Sequence, residues 1–308
     1  MRDKKRYKAK IELISPLWLE PKGGGVLHRS SLEEALTVTR QILKDAIVSA
    51  SYNGKMKSNG QEAKNSAIRG SRPIQQVHSV VRDSVYLEIK ARGLEPRVWP
   101  PMGKITPELR VTGLLKAKNQ DVAITVDPHE KEVVSTGVNA GQVDSIGQKA
   151  TNSALVIGVR SQMSSLSKNF DTLAERAFAE TLNLRLRAPN ITLGEVYLVP
   201  IHEFEDAALK NNTFGFKSSK IDLDKFVRIF NAISGPRGLD DVESLYKYNS
   251  TALIVADFSP EKVRILWDEA DVAEVFDSQV AESMKNLMPA TFTERIVNDY
   301  VRTLESLR

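Results

Sequence analysis

Apolar positions in residues 31–50 recur at helical spacing. Leu36, Ile42, Leu43, Ala46 and Ile47 fall on one face, and a serine ahead of Leu32-Glu33-Glu34 offers a cap. The same period carries Val77, Val81, Val85 and Ile89 through residues 75–92. Gly93 is placed to end that helix, and Pro96, Pro100 and Pro101 block its resumption. Beyond residue 105 the pattern changes. Residues 110–115 and 121–126 are short and β-branched, and predict adjacent strands joined by Lys116-Ala117-Lys118-Asn119-Gln120. Residues 127–152 are polar with three glycines and read as a long loop or insertion. Residues 154–159, 196–201 and 252–258 are unbroken apolar runs of buried-strand length. Asn169 is a candidate cap for a helix with Phe170, Leu173, Ala174, Ala177, Phe178 and Thr181 on its core face, stopping before Pro189. Residues 223–233 and the closing segment 269–308 also read as helical, the latter as a candidate oligomer contact. Strands separated by helices in this order predict an α/β fold, a central mixed β-sheet flanked by helices. The expected organisation is a mainly helical region over 1–104, an α/β core over 105–268 and a helical segment over 269–308, joined in one globular unit.

Composition narrows the classes without choosing among them. The 308 residues are 41% hydrophobic and 27% charged, as in an ordinary globular protein. No apolar run approaches the length of a membrane span, and the first residues lack the apolar core of a secretory signal. With zero cysteines there is no disulfide framework, no thiolate zinc site and no cysteine nucleophile. A reducing, cytoplasmic location is the expectation. The net charge of +4 is mildly basic, so any polyanionic partner must be recognised through local clusters. Residues 2–10 hold six Lys or Arg against one Asp. The second cluster, residues 52–73, sets Lys55, Lys57, Lys64, Arg69 and Arg72 among turn-forming residues and adds the amides Asn53, Asn59 and Gln61. It reads either as a solvated loop or as a loop that contacts DNA phosphates and base edges.

Several chemistries lack the residues they need. Gly23-Gly24-Gly25 is followed by Val-Leu-His, not by a phosphate-loop lysine, and reads as a hinge. A hydrolase nucleophile elbow is absent. His28, His78, His129 and His202 show no metal-ligand spacing. Trp18 and Trp99 beside prolines read as packing residues more readily than as stacking platforms for bases. What remains is a carboxylate–metal site. Asp121 opens one buried strand, where an unpaired charge is costly, and Arg160-Ser161-Gln162 closes the next. Magnesium takes oxygen ligands, usually one or two carboxylates with substrate phosphate and water.

The stretch Glu108-Leu-Arg-Val-Thr-Gly-Leu-Leu-Lys-Ala-Lys-Asn-Gln-Asp121, followed by Leu155-Val-Ile-Gly-Val-Arg-Ser-Gln162, resembles the core of the PD-(D/E)XK nuclease superfamily. Arg160-Ser-Gln-Met-Ser-Ser with Asn169-Phe-Asp-Thr-Leu-Ala-Glu-Arg resembles type II restriction endonucleases. The likeness spans roughly residues 105–260 and implies a restriction-endonuclease-like core, Mg2+ as cofactor, double-stranded DNA as substrate and a homodimer. It also implies that Asp121 binds the metal, and that the second acid and the lysine fall at positions 158 and 160. The chain has Gly158 and Arg160 there. Glycine cannot ligate a metal, so Glu108 or Glu175 is expected to supply the missing carboxylate. Arg160 keeps the positive charge but cannot act as a base. Gln162 is expected to orient water. Two other readings compete: a DNA-binding protein that kept the fold and lost the chemistry, and an α/β protein unrelated to nucleic acid whose polar strand ends satisfy one another.

Overall fold

The computed structural model describes residues 27–70, 72–163, 166, 170–235 and 244–308, and of Arg72 the backbone alone. The basic arm at 2–10, Trp18, the Gly23–Gly25 run and the Asn169 cap lie outside the described residues. The centre is a mixed six-stranded sheet. In chain order its strands are β1 (Arg97–Trp99), β4 (Val122–Thr125), β5 (Leu155–Ser161), β6 (Thr192–Pro200), β7 (Ser250–Asp257) and β8 (Arg264–Leu266), arranged 8-7-6-5-4-1 across the sheet. The inner strands β5, β6 and β7 run parallel, and β4, β1 and β8 pair antiparallel to their neighbours. Parallel strands need crossovers. Helix α4 (Phe170–Arg185) joins β5 to β6, and α5 (Leu223–Ala232) lies between β6 and β7. The 269–308 segment resolves into short helices at Glu269–Val275 and Ser278–Ser283 and the long α6 (Pro289–Ser306).

Both faces of the sheet are covered, as the apolar runs require. Helices α1 (Arg29–Val48), α3 (Arg72–Ala91) and α6 pack on one face, where Leu32, Leu36, Leu43 and Ile47 meet Val77, Val81, Val85 and Ile89 above Ile124, Ile157 and Val196. On the other face α4 and α5 bring Leu173, Ala177, Phe226 and Phe230 onto Val156, Tyr197 and Leu253. Gly93 follows α3 with φ +78°, the left-handed step that ends the helix.

Several expectations need correction. Helix α1 starts at Arg29 with His28 at its cap, and Ser30 and Ser31 hydrogen-bond the His28 ring, not the helix backbone. Residues 109–120 form a separate hairpin, β2 (Leu109–Thr112) with β3 (Ala117–Gln120), so the stretch expected as a connection is itself a strand. Residues 127–152 hold a small hairpin, Glu132–Val133 with Val143–Asp144, and a short helix Gly147–Asn152. The largest change is at 52–73. Asn53-Gly54, with φ of +55° and +74°, turns a tight hairpin between Ser51–Tyr52 and Lys55–Met56. Helix α2 (Gly60–Arg69) follows, capped by the Asn59 side chain, which accepts from Glu62 N–H at 3.1 Å.

Helix α3 carries a buried ion pair that ties it to the 100–104 loop. Arg82 donates to Asp83 at 2.6 Å and to the carbonyls of Pro101 and Lys104, and both charged side chains are shut off from solvent. Removing one charge of such a pair strands the other. Arg82→Met is expected to cost about 3–5 kcal/mol in urea unfolding. The double variant Arg82→Met/Asp83→Leu should recover much of that loss, because no charge is then left uncompensated.

Candidate active site

Three strands present one residue each in a single row. Val122 pairs with Ile157 in the antiparallel β4–β5 register, so Asp121, one step earlier, comes opposite Gly158. On the other side Glu195 of β6 pairs with Gly158. Side chains alternate along a strand, so Asp121, Gly158 and Glu195 share the face that α4 covers. The Asp121 carboxylate accepts the Val159 N–H at 2.9 Å, which fixes it beside the central position of the row.

Gly158 is the reason this row can hold two acids. A Cβ at 158 would stand 2.3 Å from Glu195 Oε2, so the Glu195 carboxylate fills the space that a side chain there would take. Glu195 is 1% exposed. Its Oε1 accepts from Arg160 Nη1 at 2.9 Å, whereas Oε2 is buried with no hydrogen-bond partner among the described residues. Burial pushes this carboxyl up to about 7, against the opposing pull of Arg160 and with a further push from Glu180 and Asp121.

Around the row stands a chain of charges. Arg160 bridges Glu195 and Glu180 of α4. The other Glu180 oxygen takes Lys118 Nζ of β3 at 2.6 Å. Burial alone would raise the Glu180 carboxyl, but Arg160 and Lys118 outweigh it and hold it below the usual value. Glu108 is half-buried and its carboxyl is raised by burial and by the Asp121 charge. His78 of α3 comes in from the opposite face, its Nε2 3.1 Å from the Val159 carbonyl. Burial holds its imidazole below the ordinary value in spite of Asp121.

Asp121 and Arg160 are thus brought together around Gly158 and Glu195, whereas Glu108 lines a different small cavity with His78 and Arg82 of α3. Two other expected site residues also lie away from the row. Glu175 is exposed, and five residues at about 100° each put it about 140° around α4 from Glu180. The acid that α4 delivers is Glu180. Gln162 is buried away from the row, its Oε1 accepting from the Tyr197 hydroxyl at 2.8 Å and its Nε2 donating to the Leu166 carbonyl at 3.4 Å. In the basic cluster, Lys64 is 3% exposed with its ammonium 5.1 Å from the Phe204 ring, and burial keeps it below the usual lysine range. Asn59 is occupied as a helix cap. Lys55 and Arg69 are exposed and Lys57 is partly so; the Arg72 side chain lies outside the described residues.

Glu195 and Glu180 escaped the sequence reading. Glu195 carried a signal, a lone acid inside the apolar run Leu193-Gly-Glu-Val-Tyr-Leu-Val199, where a charge needs a partner. Glu180 carried none beyond its place on an amphipathic helix. Among the described residues no three His, Asp or Glu side chains converge as a ready metal cage. Two carboxylates on the strands either side of Gly158, one with a buried oxygen that no hydrogen bond among the described residues takes up, nevertheless suit magnesium, which completes its shell with water and phosphate oxygens.

The raised Glu195 carboxyl has a measurable consequence. Its folded value, about 7, exceeds the ordinary 4.5. Its contribution to stability is therefore full below pH 4.5 and lost as pH rises through 7, by about 3 kcal/mol. His78, held low, acts in the opposite sense, so the readout is the difference between wild type and Glu195→Gln. In metal-free protein Glu195→Gln is expected to gain stability relative to wild type between pH 5 and pH 8 in urea titrations. Parallel curves would contradict the assignment. No protein-family model matches the chain, and no curated protein or solved structure is significantly similar to it.

Proposed function

We propose that the chain is a divalent-metal-dependent endonuclease that hydrolyses phosphodiester bonds of double-stranded DNA, of the type II restriction kind. The observation that carries this reading is the pairing of Asp121 and Glu195 across Gly158. The resemblance in sequence calls for an acid at position 158, and the neighbouring strand supplies one in the same space. Asp121 and Glu195 would hold Mg2+, with Glu108 close enough to sense the Asp121 charge. Bound there, the ion would polarise the phosphate and lower the pKa of a coordinated water. Arg160 keeps Glu195 oriented and its buried charge compensated. Lys55, Lys57 and Arg69 are the candidate phosphate contacts on the surface of the 51–69 hairpin and helix. A restriction role further entails a cytoplasmic enzyme working as a homodimer on a two-fold symmetric site. No helix among the described residues is long and apolar enough to cross a membrane.

The experiment is digestion of unmethylated phage DNA at moderate salt, with magnesium and with EDTA. Discrete fragments in magnesium alone are expected, and sequencing their ends gives the site. Intact DNA in both lanes, together with tight binding that weakens steeply with salt, would instead mark a DNA-binding protein without cleavage. Intact DNA and no binding would remove nucleic acid from the account.

A further inference from the structure

Arg160 stands where the family resemblance puts the lysine, but its charge is already spent. Its guanidinium bonds Glu195 and Glu180, and its side chain is 23% exposed. To reach a phosphate it would have to break its contacts with two carboxylates at once, Glu180 and the 1% exposed Glu195.

Lys118 has no such commitment. It lies on β3, three residues before Asp121, and its side chain is 39% exposed. Among the described residues one contact holds its ammonium, the 2.6 Å bond to Glu180 Oε1. Through Glu180 it is linked to Arg160 and so to Glu195, which ties it to the acidic row by direct contacts. Gln120, on the same side of β3, lines the small cavity floored by Gly158 and Glu195, so this strand forms a wall of the site. An ammonium on a flexible four-carbon stem can exchange one carboxylate for a phosphate at little cost, unlike a guanidinium held by a bidentate fork.

We propose that Lys118 is the catalytic cation of this site, its ammonium moving from Glu180 to a non-bridging oxygen of the scissile phosphate, with Arg160 as a positioning residue for Glu195. The inference rests on the nuclease reading above. In the step it serves, a water oxygen bonds to phosphorus as one bridging P–O bond breaks. The water gives up a proton to solvent and the departing oxygen takes one from solvent, leaving a phosphomonoester and a hydroxyl. Lys118 stays protonated and stabilises the charge that gathers on the phosphate oxygens.

The test is single-turnover cleavage of phage DNA in magnesium by full-length wild type, Lys118→Met, Lys118→Arg and Lys118→Met/Glu180→Gln, with a thermal melt of each. Lys118→Met is expected to slow cleavage about 10²–10³-fold with an unchanged melt, and Lys118→Arg to recover part of that loss. The double variant removes both halves of the ion pair and is expected to stay slow. Recovery of wild-type rate in the double variant would show that Lys118 merely neutralises Glu180, and would overturn the proposal. Cleavage by Lys118→Met within a few-fold of wild type would overturn it too, leaving the nuclease reading intact. A wild-type protein that leaves the DNA whole would overturn both.

Discussion

Asp121→Asn is expected to slow magnesium-dependent cleavage by at least about 10²–10³-fold while duplex affinity in EDTA stays within a few-fold of wild type. The substitution keeps the size of the side chain and its ability to accept the Val159 N–H, so the local backbone is held as before. What it removes is a negative charge at the end of the acidic row. DNA affinity rests on basic side chains elsewhere, Lys55, Lys57 and Arg69 among them, and repulsion from the acidic row is reduced. Binding thus holds or tightens as cleavage falls. Gel shifts and single-turnover digestion on the same preparations separate the two effects. Glu175→Gln serves as the control: exposed and turned away from the row, it should cleave like wild type.

The second large effect concerns Glu195 and Gly158 as a pair. Glu195→Ala should lose cleavage to a similar degree as Asp121→Asn, because the row is left with one carboxylate. Gly158→Ala should also lose most activity, since its Cβ would lie 2.3 Å from Glu195 Oε2 and must displace that carboxylate. The two losses are not additive when the acid is moved. Positions 158 and 195 are register partners on the same face, so Gly158→Glu in the Glu195→Ala background puts a carboxylate back into the vacated space. That double variant should cleave at least about tenfold faster than Glu195→Ala alone. A double variant no better than Glu195→Ala would mean that the acid is needed at 195 for another reason, such as pairing with Arg160.

The inner strands of the mixed sheet were legible as apolar runs of the right length, whereas the three-residue edge strands β1 and β8 were not. The faces of α1 and α3 were legible because Leu36, Leu43 and Ile47, or Val77, Val81, Val85 and Ile89, repeat at helical period. The hairpin at Asn53-Gly54 was also written in the chain, in the dipeptide that favours two left-handed residues, yet the surrounding lysines made the segment look like an open loop. Lys64 shows why charge alone misleads: on a helix, its place between Ala63 and Ala67 turns the stem inward, and an aromatic ring receives the ammonium. The site was half legible. Asp121 and Arg160 could be read from motif spacing along neighbouring strands. Glu195 could not be paired with Gly158, because that contact depends on the parallel register of β5 with β6, set by residues over thirty positions apart. The choice of Glu180 over Glu175 depends on the rotation of α4 about its axis, which the packing of Leu173, Ala177 and Thr181 decides.

The central claim is that Asp121 and Glu195 share one divalent ion across Gly158, and calorimetric titration of manganese into wild type, Asp121→Asn, Glu195→Gln and Glu175→Gln tests it without reference to cleavage. Wild type and Glu175→Gln should bind alike, while either change in the row weakens binding at least about tenfold. Equal binding by all four proteins would contradict the claim.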